Sequence, residues 1–286
     1  MKSIIKKAAR ILPDKVYISL LYRMRLGKWP NLKNPKSYNE KLQWIKLYDR
    51  RPEYSIMVDK YEVKKYIAER IGAEYIIPTL GIWNSFDEID FNKLPEQFVL
   101  KCTHDSGGLV ICQDKSKLDL KAAREKIENS LKDNYFWNSR EWPYKNVKPR
   151  IIAEKYMVDE SGVELKDYKL FAFNGEPKYI EVDFDRYLGG HKRNLYTLDW
   201  EYMNVRNKHP NAPEVKIEKP ECLTELIALS KKLSEGIPHV RTDFYVINGK
   251  IYFGELTFFH GSGMQTFEPE SFEQEMGDWL VLPEKK

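Results

Sequence analysis

Two acidic residues flank a turn near the end of this 286-residue chain. In "HVRTDFYVINGKIYFGELTF" (239–258), Asp243 stands five residues before Asn248, and Glu255 six after Gly249. Asn-Gly between two β-branched and aromatic runs is a hairpin signal, so the carboxylates are expected to be cross-strand neighbours. Like charges so placed repel unless a cation lies between them. Mg²⁺ suits that position, because it takes hard carboxylate oxygens together with substrate phosphates. Glu255 also sits between "YFG" and "LTFF", too apolar a stretch for a solvated strand carboxylate. A second group lies far upstream. "FVLKCTHDSGG" (98–108) delivers Lys101 from a strand-like run into a loop carrying Ser106, Gly107 and Gly108. Backbone N–H groups of such a loop can approach an anion closely. No G-x-x-x-x-G-K-[ST] and no Rossmann fingerprint occurs. Lysine, glycine loop and carboxylate hairpin together describe a nucleotide–metal site without a P-loop.

The elements that must position these groups are legible by period and punctuation. "NPKSYNEKLQWIKLYD" starts a helix, with Ser37 and Glu40 at capping-box spacing. "DKYEVKKYIAERIG" (59–72) has helical periodicity and stops at Gly72. Strands are expected at 75–83, 97–102, 108–114 and 149–157, with a helix over 118–135. "DYKLFAFNGEPKYIEVDFD" (167–185) reads as a hairpin about Asn174-Gly175, and 221–236 as a helix closed by Gly236. Residues 186–219 read as irregular and basic. Hairpins with interspersed helices argue α+β rather than a doubly wound parallel sheet. The division expected is a helical N-terminal extension (1–58), a lobe with the glycine loop (59–153), and a lobe with the metal hairpin (154–286).

Composition bounds the partners. Lys plus Arg number 47 and Asp plus Glu 43, a net charge of +4 that does not argue for nucleic acid. Cys102, Cys112 and Cys222 match no metal spacing and read as reduced cytosolic thiols. No run of about 18 apolar residues is present to span a membrane. "MKSIIKKAARIL" lacks the core and cleavage site of a signal peptide and reads as a short basic amphipathic helix. Its two readings are packing on the body of the protein and, through residues 3–12, peripheral association with an anionic membrane. The location expected is cytoplasmic, with the inner face of the membrane implied by the second reading.

The order of features resembles the ATP-grasp superfamily over about residues 59–265. By that resemblance, Lys60 would be the first triphosphate lysine and Lys101 the second, with Ser106, Gly107 and Gly108 in the phosphate-covering loop. "IIAEKYM" resembles the hinge, where Glu154, Lys155, Tyr156 and Met157 would face adenine, largely through backbone groups of Lys155 and Met157. Glu164 or Asp167 is left for the ribose. Asp243 and Glu255 would ligate Mg²⁺. The usual third ligand, an Asn two residues after the Glu, is Thr257 here, a poorer ligand. Arg241 and Lys169 would complete a cationic clamp on the transferred phosphoryl group.

"NPKSYNEKLQWIKLYDR", "KCTHDSGG" and "ELTFFHGSGM" narrow the resemblance to the TupA-like branch, associated with bacterial surface polysaccharide and teichuronopeptide synthesis. The implied fold is two α+β lobes gripping ATP. The implied reaction is amide formation between an amino acid and a carboxylate, for instance of a uronic acid in a polysaccharide precursor. For the acceptor, "GGHKRN" and "FFHGSGM" offer His191, Lys192, Arg193, His260 and Ser262. Three rivals remain. A glycosyltransferase would use the D-x-D residues Asp183 and Asp185, a kinase would phosphorylate a sugar hydroxyl, and a non-catalytic module would bind membrane.

Overall fold

A computed structural model describes residues 10–162, 165–185 and 190–285. The chain opens with helices α1 (Asp14–Leu26), α2 (Tyr38–Tyr48), α3 (Glu53–Val58) and α4 (Glu62–Arg70). Next comes a four-stranded sheet, ordered β1–β4–β2–β3, from β1 (Thr79–Trp83), β2 (Phe98–Cys102), β3 (Leu109–Cys112) and β4 (Ile151–Lys155). Between β3 and β4 come α5 (Leu120–Leu131) and the short α6 (Phe136–Ser139). A six-stranded sheet, ordered β11–β10–β5–β6–β7–β8, holds β5 (Asp167–Phe173), β6 (Glu176–Phe184), β7 (Lys192–Thr197), β8 (Tyr202–Met203), β10 (His239–Ile247) and β11 (Lys250–Thr257). The two-residue β9 (Arg206–Asn207) pairs with β12 (Phe267–Glu268). Helices α7 (Leu223–Ser234) and α8 (Ser271–Trp279) complete an α+β architecture whose strand pairs are antiparallel.

Local chemistry explains these elements. Ser37 and Glu40 form the reciprocal capping box that starts α2. Asn174-Gly175 and Asn248-Gly249 take positive φ at both positions (50° and 86°; 50° and 76°), as a two-residue hairpin of this hand requires. The 186–219 stretch departs from expectation, since it contributes β7, β8 and β9. Its strand sequence "KRNLYT" buries Arg193 and Asn194. With polar residues inside, the apolar alternation that signals a strand is missing.

The two sheets have separate cores. Phe98, Leu100, Ile151 and Ala153 pack with Ala123 and Ile127 of α5 beneath the small sheet. The large sheet's core takes in Tyr38, Leu42, Tyr54, Val63 and Ile67 from α2 to α4. Tyr38 Oη hydrogen-bonds His239 Nε2 on β10 at 2.9 Å, and Lys41 Nζ donates to the carbonyls of Gly277 and Leu280 at 2.7 and 2.8 Å. Residues 38–58 are therefore built into the large-sheet body rather than appended to it. The chain leaves the small sheet at Lys155, so the expected 153/154 boundary falls inside β4.

Candidate active site

The large sheet presents one charged face. Asp243 is opposite Glu255 on β11 and Lys169 on β5, and Lys169 is opposite Glu181 on β6. The Asp243–Glu255 pairing depends on a bulge. Phe244 pairs with Phe253, and the register then slips past Gly254. In an unbulged register Glu255 would pair with Thr242 and point to the opposite face. A side chain at Gly254 would meet the Asp243 carbonyl at 3.1 Å. The cation between the carboxylates is Arg241. It donates through Nε to Asp243 Oδ1 at 2.7 Å, and through Nη2 to Asp243 Oδ2 at 2.6 Å and Glu255 Oε1 at 3.1 Å. Lys169 Nζ lies 2.9 Å from Asp243, 3.0 Å from Asp167 and 3.8 Å from Asp183. Burial pushes the Asp243 carboxyl up against the pull of Arg241 and Lys169. Glu255 is about half exposed at 48%; it loses some hydration beside the other charges, but Arg241, Lys169 and Lys60 outweigh that and hold its carboxyl down. Thr257 donates to Glu255 Oε1 at 3.2 Å, so its hydroxyl orients that carboxylate.

The small sheet brings lysines toward this face. Lys101 on β2 and Lys64 on α4 both reach Glu154 on β4, at 2.7 and 2.5 Å. Burial raises the Glu154 carboxyl, but the two lysines override it and bring it to about 2. Lys60 precedes α4, whose first N–H groups are capped by Asp59 at 2.9 and 3.2 Å. The Lys60 ammonium donates to the Asp105 carbonyl in the glycine loop. The Asp105 carboxylate in turn accepts from Gly108 N–H at 3.0 and 3.2 Å and from Ser130 of α5. A Cβ on Gly108 would stand 2.6 Å from Cys102 Sγ and 2.7 Å from Ser130 Oγ. Gly108 thus seats the loop on β2 and α5, whereas Gly107 is uncrowded. Ser106 lies within electrostatic reach of the Tyr135 hydroxyl.

Between the sheets lies a cleft of ≈ 380 Å³. Its walls are apolar (Ile77, Val99, Leu109, Ile111, Met157, Leu165), with Lys101, Glu154 and Asp167 at its polar end. The segment Lys155–Met157 lines it, and among the described residues the backbone of Tyr156 and Met157 makes no backbone hydrogen bond. A smaller hollow of ≈ 60 Å³ lies where Lys60, Lys64 and Lys101 approach Glu255. The Glu154 side chain is committed to Lys101 and Lys64, so its role is to hold cations. Asp167 is both a cleft residue and a partner of Lys169. Glu164 lies outside the described residues.

The acceptor residues are dispersed. Arg193 donates to Asp183 at 2.7 and 3.0 Å, lies 3.0 Å from Glu181, and donates to Asn207 at 2.7 Å. It is a buried structural cation rather than a free clamp for an acidic sugar. The same bonds engage the first Asp of the D-x-D pair, which also has His191 at 3.2 Å. Lys192 lies 4.0 Å from Asp185, and His191 stacks on His209 at 3.7 Å. His260 is brought into the site: its Nδ1 accepts from Arg241 Nη1 at 2.8 Å, and burial, then Arg241, keeps the ring neutral. Ser262 hydrogen-bonds Glu141 at 2.8 Å.

Several groups at the site carry no motif. Glu141 is 4% exposed, and Tyr144 lies within electrostatic reach of Glu141, Glu255 and Arg241. Lys46 and Gln43 of α2 donate to the Ser262 carbonyl at 2.7 and 3.2 Å. Nothing in their local sequence marks them. Lys64 did carry a signal, since it lies one helical turn after Lys60. Among the described residues, no three His, Cys, Asp or Glu side chains converge as a ready metal cage.

Two antiparallel lobes closing on an apolar slot, with lysines on one side and a carboxylate hairpin on the other, define a two-lobed α+β protein of the ATP-grasp kind. The model of the TupA-like ATP-grasp family matches residues 40–281, and the chain belongs to that family. No curated protein matches it. Among solved structures it is similar to D-alanine–D-alanine ligase from Bacillus anthracis complexed with ATP (16% identity, 71% of this chain and 54% of that chain, TM-score 0.39). It is also similar to D-alanine–D-alanine ligase from Helicobacter pylori (17%, 86% and 70%, 0.43) and L-amino acid ligase from Bacillus licheniformis (17%, 72% and 44%, 0.42). The chain spans about half the length of the first of these.

Proposed function

We propose that the protein is an ADP-forming carboxylate–amine ligase working through an acyl phosphate, with ATP and Mg²⁺ in the cleft between the sheets. The observation that carries this reading is the charge imbalance across the cleft. On the small-sheet side Lys64 and Lys101 share one carboxylate, Glu154, and Lys60 stands between Asp105 and the small hollow. On the other side, among the described residues, Lys169, Arg241 and Arg193 face Asp167, Glu181, Asp183, Asp243 and Glu255. A polyphosphate neutralises the first surplus and a divalent cation the second.

The donor set fits Mg²⁺, which takes one or two carboxylates and completes its shell with phosphate oxygens and water. Glu255, held ionised and adjoining the small hollow, and Asp243 are the residues that would hold it. When bound, the ion neutralises charge on the transferred phosphoryl oxygens. The apolar walls, and a Tyr156–Met157 backbone that makes no backbone hydrogen bond among the described residues, suit a purine. Lys60 and Lys101 would hold the triphosphate, and Arg241, oriented by His260, would hold the transferring group. A substrate carboxylate oxygen then forms a bond to the γ-phosphorus as the bond to the bridging oxygen breaks, leaving ADP. The amine attacks the acyl carbon, phosphate departs with the C–O electron pair, and the amine sheds its proton. The glycine loop, tied to Lys60 and α5, would keep water from the anhydride. The finer reading, an amino acid joined to a uronic-acid-type sugar of a surface polysaccharide precursor, rests on membership of the family.

The test tracks the γ-phosphate by phosphorus NMR while ATP is supplied with uronic acids and hydroxylamine. A hydroxamate and free phosphate are expected. A stable phosphoester on the sugar would overturn the ligase reading in favour of a kinase.

A further inference from the structure

Helix α1 packs on the body through Ile18 and Tyr22, which are fully buried. Its opposite face carries Val16, Leu20 and Met24 at intervals of four, one stripe of a helix. Ile11 and Leu12 precede the helix and Trp29 follows it, and they too are exposed, with Ile11 86%, Met24 81% and Trp29 60% exposed. These are six of the thirteen large apolar side chains exposed among the described residues. Single exposed apolar residues are ordinary, but a contiguous set within one short segment is not. The charge around the stripe has one sign. Residues 10–33 hold Arg10, Lys15, Arg23, Arg25, Lys28 and Lys33 against a single acid, Asp14. Asp14 is already held by Arg50 and Arg140, at 2.6 and 2.9 Å. Lys28 meets Glu270 at 3.5 Å, an exposed pair of little strength.

We infer that this face of α1 is a docking surface for an anionic membrane, on which the protein lies peripherally. An apolar stripe bordered by lysine and arginine, with an indole at its end, complements acyl chains below and anionic headgroups beside it. Nucleic acid would leave the stripe unsatisfied, and a protein partner would not by itself call for a uniformly basic margin. The inference is independent of the proposed reaction. It also places the membrane contact on described residues beyond the 3–12 segment, most of which lies outside them.

The experiment is sedimentation of the full chain with vesicles of mixed phosphatidylcholine and phosphatidylglycerol, against phosphatidylcholine alone. Binding to the mixed vesicles should be stronger by about tenfold or more and should weaken with added salt. L20E combined with M24E should reduce it by about tenfold or more with the thermal melt unchanged, because both side chains are exposed. K15E combined with R23E should remove the preference for the anionic lipid. The inference fails if the wild-type chain stays in the supernatant with mixed vesicles, as it would if another segment or a second copy covered the stripe. It also fails if L20E with M24E binds as wild type.

Discussion

The two sides of the cleft handle burial of charge in opposite ways. On the small sheet one carboxylate serves two lysines, and its carboxyl sits near 2 although burial alone would raise it. On the large sheet the carboxylates outnumber the cations among the described residues. There burial wins at Asp243 and Glu181, whose carboxyls are raised despite Arg241 and Arg193. A folded protein rarely keeps buried like charges together without a compensating partner, because each unpaired ion costs several kcal/mol. Among the described residues, one side carries an excess of cations and the other an excess of carboxylates.

Removing charge from the anionic side should have the largest effect. Glu255→Gln keeps volume and loses one charge, so turnover should fall by about 10³-fold or more while the melt is retained. Turnover near wild type would mean that the anionic side does not serve the reaction. Next, Lys101→Ala should weaken ATP binding by roughly 10- to 100-fold, because a charge-assisted contact is lost while Lys64 still satisfies Glu154. Asp185→Ala should change ATP binding less than about twofold, since Asp185 is partly exposed and lines neither the cleft nor the small hollow. Isothermal titration reads both. If Asp185 mattered and Lys101 did not, the cation-rich side would not be the phosphate side.

The smallest effect is in acid. The folded Glu154 carboxyl lies near 2, against an ordinary value of 4.5. As pH falls, the unfolded chain takes up this proton first. The pair's contribution is therefore present above about 4.5 and is lost progressively toward about 2, at no more than about 1.4 kcal/mol per pH unit. Glu154→Gln should flatten that part of the stability–pH curve relative to wild type, measured by urea unfolding. An unchanged slope would mean that Lys101 and Lys64 do not hold the carboxylate.

Much of the site was legible because its chemistry is local in sequence. Asn248-Gly249 fixes a hairpin by its φ requirements, and Lys101 ends a strand before a turn. Other parts were hidden. The Arg193 loop looked like a solvated basic stretch because a buried arginine and a free one have the same one-dimensional signature. Only its neighbours on β6 and β9 make it structural. Glu141, Tyr144 and Lys46 come from segments with no motif at all.

Element types, turns and the identity of the chemical groups were set by the amino-acid sequence alone, since period, capping and φ preference act over a few residues. Which groups meet was settled only in three dimensions. The Gly254 bulge turns Glu255 to the face of Asp243, α2 and α4 join the large-sheet core, and α1 is left with one apolar face uncovered. Such outcomes depend on register and packing between segments far apart in the chain, and no local preference encodes them.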